Sequence, residues 1–209
     1  MTGHEQASGT EGYAEEAEAL IHQYESLAFE HVQRWSMPLI PPAPCRILET
    51  GAGTGRDAAG FAALGHSVVA VEPTHEFRSR AAMLHPSPAI EWVDDRLPNL
   101  AAVTKRGETF DVVMMTAVWM HLDEAQRRRA MPNVAALMRP GALAVMTLRH
   151  GPIPPGRRMF AVTAEETIAL ARQAGLDVAH TAWEPEGIQK RPGVSWTRLA
   201  FARRADVAI

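Results

Sequence analysis

Seven runs of apolar and β-branched residues are spaced along the chain, and most stretches between them have helical periodicity. We predict these runs to be strands, at residues 46–48, 67–72, 90–95, 110–115, 143–148, 178–183 and 195–203. The last two are expected to form an antiparallel hairpin joined by the loop 184–194. Ile47 and Leu48 end an uninterrupted apolar run, which is typical of a strand covered by other elements on both faces.

The first 44 residues follow a different pattern. Residues 1–12 are small and polar, and we predict them to be disordered. From Tyr13 to Trp35, apolar residues recur at intervals of three and four with glutamates mostly opposite, which predicts one amphipathic helix. The proline-rich segment 37–44 predicts a stiff, extended linker after that helix. We therefore expect a helical segment with its linker at residues 13–44, followed by one domain at residues 45–209.

A later helix has a recognisable beginning. Asp123 and Gln126 have the spacing of a capping box, in which each side chain bonds the backbone of the other residue. Pro132 is expected to kink or split this helix. The run of arginines at 127–129 points around the helix, and we predict that it is a solvated face.

Composition and charge narrow the class of protein. The chain has 209 residues, 46% of them hydrophobic and 22% charged, and a formal net charge of -3, so it has no basic footprint for nucleic acid or acidic lipid. Cys45 is the only cysteine, and no His/Asp cluster has metal spacing. No apolar run approaches the roughly 20 residues of a membrane span, and no secretion signal is apparent. We expect a cytoplasmic protein without metal, nucleic-acid or membrane partners; its oligomeric state is left open.

The segment 49–57 carries the first chemical signal. Gly51, Gly53 and Gly55 alternate after the first strand, and glycine suits such a turn because a missing Cβ permits positive φ and close approach of a ligand. The helix start behind the turn offers unpaired N–H groups. A dinucleotide-binding fingerprint would need a third glycine at position 56, where Arg56 stands. A turn with a purely structural role is the alternative.

An acidic residue followed by G-x-G-x-G resembles the first motif of the class I S-adenosylmethionine (SAM)-dependent methyltransferases, and further landmarks follow in order. Glu72 ends the second strand about 20 residues later, where a carboxylate accepts hydrogen bonds from ribose hydroxyls. After the third strand, Asp94 and Asp95 are both candidates for the aspartate that binds adenine in that family; the alternative is that one of them only caps the helix opened by Pro98. The segment 116–122 resembles the Ala-Val-x-x-His-Leu of small-molecule members, and Pro140 begins a Pro-Gly turn before strand five. The Asn/Asp-Pro-Pro-Tyr/Phe segment of DNA methyltransferases is missing from the sequence.

The resemblance implies an α/β fold: a Rossmann-like, seven-stranded, mostly parallel sheet with helices on both faces and an antiparallel last strand. It also implies that the N-terminal helix closes over the cofactor as a lid. The cofactor implied is SAM, with S-adenosylhomocysteine as its product. The cofactor-binding residues implied are Glu49, Gly51, Ala52, Gly53, Gly55, Asp57, Glu72, Pro73, Asp94, Asp95, Thr116 and Ala117.

Fewer sequence features indicate which residues bind the methyl acceptor. His121 is the candidate general base, because an ordinary pKa near 6.5 suits proton abstraction near neutrality; a structural His-Leu pair is the alternative. Trp119 is expected to form a wall of the pocket. Tyr13 and Tyr24 are candidate lid residues that would contact the substrate, or else pack the helix onto the domain.

The loop after strand five adds basic residues. Arg149, His150, Arg157 and Arg158 are candidate anchors for an anionic group on the substrate, because a guanidinium donates two parallel hydrogen bonds to a carboxylate or phosphate. A rigid connector with solvated arginines is the alternative.

The function expected from these signals is SAM-dependent methyl transfer to a small molecule. The alternatives are a protein that uses SAM for another alkyl transfer or only binds it, and a methyltransferase acting on protein or nucleic acid. A nicotinamide dehydrogenase is the weakest alternative, because Arg56 replaces the required glycine.

Overall fold

A computed structural model of the chain describes residues 9–205. The helices are α1 (Ala17–Glu25), α2 (Phe29–Val32), α3 (Arg56–Ala63), α4 (His75–Leu84), α5 (Ala101–Thr104), α6 (Glu124–Leu137) and α7 (Ala164–Gln173). The strands are β1 (Arg46–Thr50), β2 (Ser67–Val71), β3 (Ile90–Val93), β4 (Phe110–Met115), β5 (Met138–His150), β6 (Leu176–Glu184) and β7 (Ser195–Arg203). Within this part of the chain, the helices are too short or too polar to cross a membrane.

The strands form one sheet in the order β3-β2-β1-β4-β5-β7-β6. The pairs β3–β2, β2–β1, β1–β4 and β4–β5 are parallel, and β7 is antiparallel to both β5 and β6. The predicted sheet and its C-terminal hairpin are confirmed. The chain first builds outward from β1 to β3, then returns to place β4 on the other side of β1. Such a reversal opens a crevice at the carboxyl ends of the strands.

The core has two parts, one on each face of the sheet. Leu48 of β1 and Val113 of β4 face the part covered by α6 and α7, whereas Ile47 and Val112 face the part covered by α3. All four side chains are fully buried. This is why β1 and β4 are apolar without alternation: both of their faces are covered.

The N-terminal segment differs most from the prediction. Two helices, α1 and α2, replace the single helix predicted for residues 13–35, and Ala28 between them is extended, with φ -63° and ψ 137°. The break allows Phe29 to pack edge-on against Phe61 of α3, with ring centroids 5.1 Å apart. Residues Met37–Leu39 form a turn of 3-10 helix within the linker predicted to be extended.

The predicted disordered segment 1–12 divides in two. Residues 1–8 lie outside the described residues. Residues 9–12 follow a defined course of turns, and the carbonyl of Gly12 accepts a hydrogen bond from Arg157 at 2.7 Å. For these four residues the prediction is corrected.

Helix α6 confirms one prediction and corrects two. The capping box of Asp123 and Gln126 is present, with bonds of 2.8 and 2.9 Å. Pro132 lies inside one continuous helix, so it does not split it. Arg127 is buried and donates to both carboxylate oxygens of Glu166 in α7, at 2.9 and 3.0 Å. The expected solvated face therefore holds for the next two arginines and not for Arg127.

Candidate active site

A cavity of about 510 Å³ opens at the carboxyl ends of the central strands, in the crevice expected for this topology. Its walls include the glycine turn after β1, residues 72–74 after β2 and residues 116–118 after β4. The N-terminal helix α1 and the loop 187–191 between β6 and β7 complete it. Segments far apart in the sequence thus converge on one site.

The three glycines of the turn have different roles. All are left-handed, with φ of 67° at Gly51, 57° at Gly53 and 81° at Gly55. A Cβ on Gly51 would lie 2.6 Å from Val118, and one on Gly55 would lie 2.5 Å from the ring of Trp92. Gly51, Ala52 and Gly53 line the cavity, whereas Gly55 is placed behind it at the start of α3. Backbone approach by a ligand is therefore possible at the first two glycines.

Glu72 lies in the cavity wall as the carboxylate that follows β2. It is buried, and its oxygens accept from the N–H groups of Gly53 and Thr74, each at 2.8 Å. Burial raises the pKa of Glu72, and the two N–H donors oppose that shift. A carboxylate offers about four lone-pair positions, so Glu72 keeps acceptor capacity for two hydroxyl groups of a ligand. Pro73 lines the same wall.

Glu49 is a buried acid, and one of its carboxylate oxygens accepts no hydrogen bond from the described residues. Its Oε2 has no hydrogen-bond partner within residues 9–205, although the side chain lines the cavity. Burial, and then the negative charge of Asp57, raise the pKa of Glu49 well above its usual range. A cationic group of a ligand would supply the missing partner, so this site fits the ammonium group of an amino-acid moiety.

Asp57 and Thr116 are joined by a residue that sequence reasoning missed. Gln33, buried beyond α2, donates from Nε2 to Asp57 Oδ2 at 2.6 Å and to Thr116 Oγ1 at 3.2 Å. Ser36 holds the amide by donating to its Oε1 at 2.6 Å, and Arg56 pairs with the other oxygen of Asp57 at 2.7 Å. The N-terminal segment is therefore hydrogen-bonded to the glycine-turn helix. No motif marks Gln33 in the sequence, because it stands among other polar and charged residues before the proline-rich segment. Thr116 lines the cavity together with Ala117, whose positive φ of 57° marks a sharp turn after β4.

Neither candidate for the adenine contact lines the cavity. Asp94 is exposed and pairs with Arg78 at 2.8 Å. Asp95 accepts from the N–H of Val103 at 3.0 Å, which secures the short helix α5. The two residues that follow them line the cavity instead. The structure thus gives both aspartates structural contacts.

His121 lies in the cavity wall with a defined tautomer. Its Nδ1 is 2.9 Å from the carbonyl oxygen of Arg158, and since a carbonyl can only accept, Nδ1 carries the proton. Burial lowers the pKa of His121, which favours the neutral ring with a lone pair on Nε2. The hydroxyl of Tyr13 lies 3.1 Å from Nε2 and therefore donates to it. The pair is arranged to accept a proton.

Tyr13 and Tyr24 both line the cavity from the N-terminal segment. Burial raises the pKa of both phenols. The guanidinium of Arg157 lies over the Tyr13 ring, 4.4 Å from its centroid, and pairs with Glu16 at 2.8 Å. Arg157 therefore fastens the segment that bears the two tyrosines.

The four predicted anion anchors do not come together. Arg149 lines the cavity, whereas His150 lies on the opposite face of β5 and bonds Thr197 at 2.8 Å. The cause is the alternation of side chains along a strand. Arg158 forms its ion pair away from the cavity, with Asp123 at 3.1 Å. For His150 and Arg158 the prediction is corrected.

The prediction that Trp119 forms a wall of the pocket is also corrected. Trp119 is fully buried in the core beside α6 and lies outside the cavity wall. The cavity is also lined by residues that no sequence motif marks: Trp196 and Arg198 of β7, and Ile188 and Arg191 of the loop before it. Within residues 9–205, no group of three or more acidic, histidine or cysteine side chains could hold a metal ion.

Known proteins are similar to this chain in sequence and in fold. The model of the methyltransferase-domain family matches residues 47–141. Uncharacterized methyltransferases of Mycobacterium tuberculosis and Mycobacterium bovis are 34% identical over 110 residues, which is 49% of this chain and 39% of theirs. The chain thus spans about two fifths of the length of the curated relatives it matches.

Solved structures extend the likeness to most of the chain. A TehB-like SAM-dependent methyltransferase of Corynebacterium glutamicum has a TM-score of 0.68 and 20% identity, covering 91% of this chain and 99% of its own. The Burkholderia thailandensis 1,6-didemethyltoxoflavin-N1-methyltransferase, solved with its acceptor and S-adenosylhomocysteine, has a TM-score of 0.63 and 19% identity, covering 92% and 79%. At these identities the likeness shows a common fold. The family match covers the glycine turn, Glu72 and His121, and together with the common fold it supports a SAM-dependent methyltransferase domain of class I in this chain.

Proposed function

We propose that this protein transfers a methyl group from SAM to a small-molecule acceptor with an ionisable N–H or O–H group. The observation that carries the proposal is the presence, in one cavity, of two buried carboxylates and a histidine whose basic nitrogen faces a hydroxyl. The carboxylates are Glu49 and Glu72, and the histidine is His121. Carboxylates suit the cofactor, and a neutral histidine suits the removal of a proton from the acceptor.

The residues on the β1–β2 side would hold the cofactor. Glu72 would accept hydrogen bonds from the ribose hydroxyls, and Glu49 would pair with the ammonium group of the methionine moiety. Gly51 and Gly53 leave their backbone open to close contact. When bound, SAM supplies an electrophilic methyl group on a sulfonium sulfur. These side chains fix its orientation, and alignment of the reacting atoms supplies much of the rate.

The residues on the β4–β5 side would handle the acceptor's proton. Tyr13 would take the proton from the acceptor as it passes its own hydroxyl proton to Nε2 of His121. The proton then rests on the imidazole, whose Nδ1–H stays bonded to the Arg158 carbonyl. A free tyrosinate is avoided, which matters because burial raises the pKa of Tyr13. The Burkholderia relative supports the choice of a small acceptor, because its solved structure contains one beside S-adenosylhomocysteine.

Binding of the cofactor product tests the first half of this proposal. We expect S-adenosylhomocysteine to bind the full chain, and Glu72→Ala to weaken binding by about ten- to a hundredfold, because charge-assisted hydrogen bonds to two hydroxyls are lost. Isothermal titration calorimetry measures both. Glu76→Ala, which removes an exposed glutamate of α4, is the matched control and should bind like the unmodified protein.

Turnover tests the second half. The chain and SAM labelled in its methyl group would be incubated with a panel of phenols, amines and N-heterocycles, and transfer of label would be measured. Labelled product that requires His121 supports the proposal. Product binding without transfer to any acceptor would favour a protein that only binds the cofactor.

A further inference from the structure

The cationic side chains of the cavity fall into two groups. In the first group each cation has a carboxylate partner: Arg157 pairs with Glu16 at 2.8 Å, and Arg198 pairs with Glu184. Their charges are already balanced within the protein. These arginines therefore hold the cavity wall together and have little charge left for a ligand.

The second group consists of Arg149, Lys190 and Arg191; Arg96, which follows β3, also lines the cavity without an ion pair in the described residues. All three line the cavity, and within residues 9–205 no carboxylate lies at ion-pairing distance from any of them. Burial, and then the like charge of Arg191, lower the pKa of Arg149, so the two guanidinium groups repel each other across this part of the cavity. Arg149 is partly buried without a counterion, whereas Lys190 and Arg191 are exposed, so a bound anion would relieve an unfavourable charge mainly at Arg149.

The position of these cations places them on the acceptor side. Arg149 belongs to β5, which lies three strands away from β2 in the sheet, or about 14 Å at the usual strand spacing. Glu72, at the end of β2, is therefore too far away to neutralise Arg149. Arg149 and the two buried acids therefore lie toward opposite ends of one cavity, whereas Arg96, after β3, lies on the side of the acids.

The residues around Arg149 indicate the shape and polarity of the rest of the ligand. Trp196 is its partner across the β5–β7 ladder, and both side chains line the cavity. Met159 and Ile188 line the same cavity. An indole and aliphatic side chains beside a guanidinium suit a flat or apolar body that carries one charged group.

Resting on the proposed function, we infer that Arg149 and Arg191 form an oxyanion-binding subsite, so that the methyl acceptor is a small molecule with an apolar body and a carboxylate or phosphate group. A guanidinium pair binds either oxyanion through paired N–H donors. This differs from the sequence-based expectation, because His150 and Arg158 have no part in it and Arg191 replaces them.

Matched probes test the subsite. Protein saturated with S-adenosylhomocysteine would be titrated by calorimetry with 2-naphthoate, 2-naphthamide and 2-naphthyl phosphate, which share one ring system. We expect at least one of the two anions to bind about tenfold or more tightly than the neutral amide. Tighter binding of the naphthoate would assign a carboxylate, and tighter binding of the naphthyl phosphate would assign a phosphate.

Variants connect that preference to the two arginines. Arg149→Gln and Arg191→Gln should each reduce anion affinity by about tenfold, and the double variant should bind anion and amide alike. Arg129→Gln, which removes an exposed arginine of α6, is the control and should keep the full preference. Affinity for S-adenosylhomocysteine should be unchanged in all of them.

Three results would overturn the subsite: equal binding of anions and amide, an anion preference that survives in the double variant, or no binding of any probe to the loaded protein. In each case, retained binding of S-adenosylhomocysteine confines the failure to the subsite. Loss of that binding in the unmodified protein would instead reject the proposed function itself.

Discussion

In the proposed mechanism, proton transfer would depend on a single backbone carbonyl. The oxygen of Arg158 accepts from Nδ1 of His121 and so leaves Nε2 as the basic nitrogen, facing Tyr13. Without that carbonyl, either nitrogen could carry the proton. The carbonyl belongs to the loop after β5, in a residue whose side chain was predicted to bind substrate. Its backbone has the more direct connection to the chemistry.

This arrangement predicts the pH dependence of methyl transfer. If His121 is the base, as we propose, its neutral form is the active one, and burial lowers its pKa below the ordinary value near 6.5. The kcat/KM should therefore be level above that value and fall only as the pH drops through the lowered pKa. His121→Ala should reduce kcat by about 10²–10⁴-fold and remove this acidic limb.

Tyr13→Phe separates proton transfer from packing. The phenyl ring can keep the contact with Phe77, whose ring centroid is 6.1 Å away, while the hydroxyl is lost. We expect kcat to fall by about ten- to a hundredfold, with unchanged affinity for S-adenosylhomocysteine. An unaltered acidic limb in His121→Ala, or full activity in Tyr13→Phe, would exclude the relay.

For Glu49 we predict that one substitution stabilises the fold and weakens binding of the cofactor product. Because its folded-state pKa is raised, its protonated form stabilises the fold at low pH, and that stability is lost as the pH rises through the raised pKa. Glu49→Gln removes the buried charge. Without ligand it should raise the melting temperature at pH 8, by about 2–4 °C for each kcal/mol gained, with a smaller gain at pH 5.

The same substitution should weaken binding of S-adenosylhomocysteine by about tenfold, because the ammonium group loses its counterion. Calorimetry and thermal unfolding at the two pH values measure the two effects. Glu30→Gln, at an exposed position of α2, should change neither. A lower melting temperature together with unchanged affinity would show that Glu49 is a structural carboxylate.

At the level of elements, the sequence predicted the features that depend on residues close together in the chain. The strand β1, its glycine turn and Glu72 follow from an apolar run, from the freedom of glycine and from spacing along the chain. The contacts of Asp94 and Asp95 depend on Arg78 and on the N-terminus of α5, which no local pattern reveals. The prediction therefore held for the strands and their order, and did not identify which of these side chains face the cavity.

Side-chain direction explains the remaining differences. Arg149 and His150 are adjacent in β5, and neighbours on a strand point to opposite faces, so only one of them can reach the cavity. The sequence signal treated both as loop residues, because β5 extends further than its apolar run. The break at Ala28 was hidden for a related reason: helical periodicity continues through it, and only packing of Phe29 on Phe61 sets the break.

Gln33 predicts that the N-terminal helices contribute to cofactor binding without touching the cofactor. Its amide bonds Asp57 and Thr116, so its loss would detach α2 from α3 and β4. We expect Gln33→Ala to weaken binding of S-adenosylhomocysteine by about three- to tenfold, through a less ordered lid. Glu30→Ala, at an exposed position of the adjoining helix α2, is the matched control.

Calorimetry decides between the two outcomes. Equal affinities of the Gln33→Ala and Glu30→Ala variants would limit Gln33 to packing. Gln33→Glu should also bind S-adenosylhomocysteine more weakly than the unmodified protein. A second carboxylate would then face Asp57 at the 2.6 Å distance of the present hydrogen bond.

For the molecule as a whole, the cavity joins two parts of unequal stability. The glycine turn and the ends of β1, β2 and β4 belong to a sheet with a fully buried core. The N-terminal segment, which we propose to act as a lid, contains the nine-residue α1 and the four-residue α2, in which Ala17 is the only buried residue. Short helices with little buried apolar surface open more easily than a central sheet. The lid is therefore the part whose order a ligand can change most.

Hydrogen exchange of the full chain tests this difference. We expect saturating S-adenosylhomocysteine to slow amide exchange in α1 and α2 as well as at the glycine turn, because a ligand on Glu49 and Glu72 lies beneath the lid residues that line the cavity. Amides of α7, which packs against β6 on the far side of α6, should be unaffected. In Gln33→Ala, protection should remain at the turn and decrease in the helices. Slowing confined to the turn in the unmodified protein would mean that the N-terminal segment is a fixed wall, and the acceptor would then have to enter past the loop 187–191.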